Sequence, residues 1–106
     1  MKKNNIKCSC PVFSTVQLIG NKWVLVILNK LLNGTMRFGE LRKEIEEISP
    51  KMLTQQLRKM EKDGIVTREI FPEIPPKVEY SLTMKGRELK PVLDSISLWG
   101  KKYAKQ

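Results

Sequence analysis

Between residues 48 and 66 the chain reads ISPKMLTQQLRKMEKDGIV, and its polar positions are mostly Lys, Arg, Thr and Gln. These side chains suit DNA. Arginine bridges guanine O6 and N7, glutamine pairs with adenine N6 and N7, and threonine meets a phosphate or a thymine methyl. Ser49 is a good N-cap and Pro50 a good first residue, so a helix is predicted over about 50–63. Advancing about 100° per residue from Leu53, Leu57 falls near 40° and Met60 near 340°. Lys51, Gln55, Arg58 and Lys62 gather between roughly 140° and 200°, with Thr54 near 100° and Glu61 on the flank near 80°. The outward strip thus holds two Lys, one Arg, one Gln and no acid. Lys51 also sits in the first turn, where free backbone N–H groups favour a phosphate. Lys and Gln equally furnish an ordinary solvated helix face. The strip alone leaves both readings open.

Other chemistry has little to work with. The chain contains no His, which excludes His-based zinc sites and Ser–His or Cys–His catalysis. Neither an enzyme, a metal nor a cofactor is expected, and Glu44 and Glu47 read as solvated carboxylates. Cys8 and Cys10, one residue apart, are not a secreted disulfide framework, and a bond between them would close a strained ring. Cys10 precedes Pro11, a helix-starting residue. A helix N-terminus and the neighbouring Lys7 would stabilise a thiolate there; a small residue packed at a helix start is the alternative.

With 106 residues, 41% of them hydrophobic and 29% charged, the chain fits one domain with one modest core. Small domains of this kind often gain stability by dimerising. Twenty Lys+Arg against eleven Asp+Glu leave a formal net charge of +9, a balance that favours polyanions through counterion release. After Met1-Lys2-Lys3 no apolar run follows, so no secretory signal is expected. The longest uninterrupted apolar run, Trp23 to Leu28, is too short to span a bilayer. A cytoplasmic protein with no membrane partner is the expectation.

The strip needs elements to position it. Residues 1–9 read as a flexible N-terminal segment, and 10–106 as a single domain. Val12, Val16 and Ile19 recur at helical spacing over about 11–20, up to Gly20-Asn21. A second helix covers about 22–33, apolar nearly all round, as a central buried helix must be. A third runs about 38–47, with Phe38, Leu41, Ile45 and Ile48 on one stripe. After Gly64 the period alternates: IVTREIF and KVEYSLT flank PEIPP, which predicts a β-hairpin over about 65–82 with a proline-rich tip. Thr83 caps a last helix over about 84–105, carrying Leu93, Ile96, Trp99 and Tyr103, with Pro91 ending or kinking its first part.

Helices followed by a hairpin describe a mainly α fold with a small β-hairpin, a winged helix-turn-helix, in which the helix over 50–63 enters the major groove. On that reading Arg68 and Lys77 in the wing approach the backbone or minor groove, and Arg37 positions a phosphate or else caps a helix end. Arg68 and Lys77 also fit surface cations balanced by Glu69, Glu73 and Glu79. A winged-helix module that meets an acidic protein instead of DNA is the competing function.

The segments CPVFSTVQLIGNKWVLVIL, RFGELRKEI, ISPKMLTQQLRKMEKDGIVTREIFPEIPPKVEYSLTMKGREL and PVLDSISLWG resemble the HxlR family of MarR-like winged helix-turn-helix transcriptional regulators. The likeness covers about residues 10–103. It implies a cytoplasmic prokaryotic homodimer on double-stranded DNA, joined by its N- and C-terminal helices, with Val12, Val16, Ile19, Leu93, Ile96, Trp99 and Tyr103 at the interface. It also implies that Cys10 matches the cysteine through which thiol-sensing members respond, while any small-molecule effector stays unknown. Glu47, Met60 and Phe71 depart from the residues usual at those places, and none lies on the outward strip.

Overall fold

The computed structural model describes residues 10–104, so the expectations for residues 1–9, Lys7 and Cys8 included, lie outside the described residues. The elements are α1 (Pro11–Ile19), α2 (Lys22–Leu31), β1 (Met36–Arg37), α3 (Phe38–Glu44), α4 (Pro50–Lys62), β2 (Val66–Phe71), β3 (Lys77–Leu82), α5 (Met84–Arg87) and α6 (Lys90–Tyr103). Among the described residues no single helix is long and apolar enough to cross a membrane.

α2 is the centre. Asn21 caps it by accepting from the Trp23 and Val24 N–H groups at 2.8 and 3.3 Å, and a bend of 82° separates it from α1. Val24, Ile27, Leu28 and Leu31 are buried along it, against Leu41 of α3, Leu53, Leu57 and Met60 of α4, and Val66 and Leu82 of the sheet. α3 is shorter than the expected 38–47. The backbone leaves helical geometry at Ile45 (φ −112°, ψ 80°), and this turn lets Ile45 and Ile48 both reach the core.

The expected two-stranded hairpin is a three-stranded antiparallel sheet, in the order β1-β3-β2. β1 pairs Met36 with Tyr80 and Arg37 with Glu79, and a two-residue strand is too short to show alternation in sequence. β2 and β3 run in register from Val66↔Leu82 to Phe71↔Lys77.

α4 ends in a glycine stop. Gly64 has φ +77°, its N–H donates to the Glu61 carbonyl at 3.1 Å, and the Ile65 N–H reaches Met60 at 2.8 Å. This paired arrangement satisfies carbonyls that the helix end would otherwise orphan. Thr83 then ties that turn to α5. Its hydroxyl donates to the Gly64 and Ile65 carbonyls (2.7 and 3.1 Å) and accepts from the Gly86 N–H at 3.0 Å. Gly86 is buried so closely that a Cβ would collide with the Ile65 carbonyl oxygen.

The single helix expected over 84–105 is two helices. Pro91 sits in the first turn of α6, where its missing N–H costs nothing, and the chain bends at Glu88-Leu89. No residue of α6 is buried, and α1 buries only Ile19. The radius of gyration, 15.6 Å, exceeds the roughly 13 Å of a compact chain this size. α1 and α6 therefore project as an arm.

Replacing Gly86 with Ala forces the α4–β2 turn and α5 apart, and should cost about 1–3 kcal/mol of stability. Chemical denaturation of Gly86→Ala beside the wild type measures it; an unchanged midpoint would show that the contact yields freely.

Candidate nucleic-acid interface

Burial of Leu53, Leu57 and Met60 at 0–1% exposure sets the rotation of α4. Ser49 starts the helix by accepting from the Met52 N–H at 3.1 Å. With that rotation Lys51, Gln55, Arg58 and Lys62 stand exposed together and Thr54 is half-buried at the margin. Among the described residues no carboxylate lies within ion-pair distance of Lys51, Arg58 or Lys62. The strip is an uncompensated cationic surface with one amide in it. Lys59, off this strip, does different work: it pairs with Asp63 at 3.0 Å and donates to the Leu18 carbonyl at 3.4 Å, fastening α4 to the end of α1.

The flanking cations differ from one another. Arg37 ends β1 and opens α3, with its N–H donating to Glu40 Oε1 at 2.8 Å and its side chain exposed beside the sheet. Arg68 Nε lies 3.7 Å from Glu61 Oε1, so the wing and the flank of α4 are joined by an ion pair. Lys77 is mostly covered at 24% side-chain exposure. Its ammonium lies 3.8 Å from Glu73, 3.6 Å from Glu79 and 4.6 Å from the centre of the Phe71 ring. It holds the wing together and offers little free charge to a phosphate.

Two side chains at this junction escaped sequence reasoning. Tyr80 stands opposite Arg68 across the strands, and burial raises its phenol above the ordinary 10.0. Arg68 and Arg58 oppose that rise and Glu61 adds to it, so Tyr80 feels both α4 and the wing. Glu61 was visible only as a flank residue. The pairing of β2 with β3, which brings Arg68 and Tyr80 onto the same face, was the missing information.

The arm carries a second surface. Val12, Val16, Ile96, Trp99 and Tyr103 are 54–71% exposed, and a groove of about 450 Å³ runs between α1 and α6, lined by Pro11, Val12, Val16, Val92 and Ile96 among others. The Trp99 and Tyr103 rings pack with their centres 5.2 Å apart and their planes tilted by 46°. Ile19 and Leu93 do not share this exposure. Ile19 is buried in the core and Leu93 packs half-buried against it, because α1 turns inward at its end and α6 leaves the core at its start. Leu98, 69% exposed, lies off the predicted stripe. Cys10 is a free, exposed thiol at the N-cap of α1, at one end of the arm.

Residues 18–106 match the profile of the HxlR-like helix-turn-helix family. The HTH-type transcriptional regulator YdeP of Bacillus subtilis is 49% identical over 94 residues, covering 89% of this chain and 73% of that protein. Among solved structures, the redox regulator HypR in its oxidised form is 43% identical with a TM-score of 0.83, over 92% of this chain and all of that one. The reduced transcriptional regulator YodB from B. subtilis is 36% identical with a TM-score of 0.83, over 92% and 97% of the two chains.

The Tyr80 environment gives a pH signature. In a Tyr103→Phe background, near-ultraviolet absorbance should show Tyr80 ionising above 10.0, lower in Glu61→Gln and higher still in Arg68→Ala. A native value raised above the unfolded one stabilises fully below pH 10.0, and that contribution is lost as pH rises through the native value. Identical titrations in all three proteins would dissolve the junction.

Proposed function

Since this chain belongs to the HxlR-like helix-turn-helix family and is a winged-helix, DNA-binding transcriptional regulator, we propose that two copies read a pseudo-palindromic operator, one α4 in each of two major-groove half-sites. The observation that carries this is the strip Lys51, Gln55, Arg58, Lys62, exposed and free of acid on a helix whose rotation the core sets. Arg58 and Gln55 meet base edges. Lys51, Thr54 and Lys62 meet phosphates, with Arg37 and Arg68 at the rims, and Lys77 acts mainly by shaping the wing. Arg58→Ala should weaken binding to a selected site by about 1–3 kcal/mol and relax preference at one base pair. Equal losses on selected and random duplexes, in a fluorescence titration across salt concentrations, would remove its role in base reading.

The second copy covers the apolar arm, and the protein works in the cytoplasm. Cys10, at the arm's end, is the site where oxidation is felt. Two Cys10 thiols, one from each copy, give two electrons and two protons to an oxidant and join as a disulfide, shifting the two heads. Support comes from the exposed thiol and from the redox regulator among the similar structures. Sedimentation tests the first point and non-reducing denaturing electrophoresis the second. Ile96→Glu should run as a monomer, and the wild type should gain an oxidant-dependent covalent dimer that Cys10→Ser lacks. A dimeric Ile96→Glu, or cross-linking that persists in Cys10→Ser, would refute the respective assignment.

A further inference from the structure

Most large exposed apolar side chains lie on α1 and α6, where the second copy would cover them. Ile74 is different. It is fully exposed (101%) on the loop between β2 and β3, with no helix or strand packed over it. Its neighbours make it a stiff point. Residues 72–76 read PEIPP, and three prolines fix three φ angles. The Glu73 N–H closes back on the Phe71 carbonyl at 2.8 Å. Below the loop, the Lys77 ammonium sits against Phe71, Glu73 and Glu79. That cation anchors the loop to the strands and offsets part of the charge of the two carboxylates beside it.

We propose that Ile74 is a minor-groove wedge. With α4 in the major groove, the wing reaches the neighbouring minor groove and the Ile74 side chain presses between two base pairs. This rests on the reading of α4 given above. Apolar wedges of this kind partly unstack one step and bend the duplex, and pyrimidine–purine steps such as TA yield most easily. A point already held rigid loses little freedom on insertion. The occupant is duplex DNA because Arg37 lines a cleft with Pro76 and Lys77 at the base of the tip, and Arg68 and the cationic strip of α4 belong to the same winged unit. A protein partner would find one isoleucine among prolines and a glutamate. Ile74 then contributes sequence preference through deformability, at a position where no hydrogen bond reads a base.

The test uses the full chain and a random duplex library. Sites enriched by the wild type are resynthesised with either a TA step or an A-tract at the wing position. The wild type should favour the TA version by about tenfold and bend it, as read by energy transfer between end labels. Ile74→Ala should keep its affinity for the A-tract version within about twofold while losing the preference and most of the bend. Ile74→Met, another apolar wedge, should restore both. Ile74→Ala that still bends and still prefers TA, or that weakens both sites equally, would overturn the wedge. A wild type that enriches no sequence at all would bring down the regulator reading, and the wedge with it.

Discussion

Everything about the reading head depends on which way α4 is rolled. Leu53, Leu57 and Met60 are packed to near-zero exposure against α2 and the sheet, and turning the helix by even one residue would lift them into water. Burying each such side chain contributes about 1.5–3 kcal/mol. That is far more than any surface cation gains from its own placement, so the core decides where Lys51, Gln55, Arg58 and Lys62 face. The strip proposed to face DNA would carry the function, but it does not set the fold.

The same hierarchy explains what was legible in the amino-acid sequence. Helical periods, caps and the Gly64 stop depend on neighbours a few residues apart, and α1, α2, α4, the wing and the cationic strip were all found from them. The features that escaped depend on contacts between distant parts of the chain. β1 exists because Met36 meets Tyr80, and α3 ends early because Ile45 and Ile48 must both turn inward. Lys77 read in sequence either as a phosphate contact or as a surface cation balanced by Glu73 and Glu79. Its partners Phe71 and Glu79 reach it only through strand pairing and a folded turn. Ile19 followed the stripe of α1, yet the bend into α2 carries it into the core.

The electrostatics are sorted by location. Acids are gathered behind or beside the reading face: Glu44 on Lys30, Glu47 on Lys22, Glu61 on Arg68, Glu73 and Glu79 on Lys77. The exposed pairs among these add little stability, about 0–1 kcal/mol each. Their effect is to leave the net charge of +9 expressed where no acid answers it. A phosphate backbone approaching α4 therefore meets cations that have no internal partner to give up.

The knot of Thr83 and Gly86 gives the molecule a mechanical character. It fastens the end of α4, through Gly64 and Ile65, to the short α5 from which the arm departs. Arm and head are thus welded at their common root and turn as one lever. In the proposed pair of such levers the distance between the two heads would be set where the arms meet, as in a caliper whose jaws open when its pivot rotates. A displacement of a few ångströms at the arms would reappear, undamped, as a mismatch with the helical pitch of the duplex.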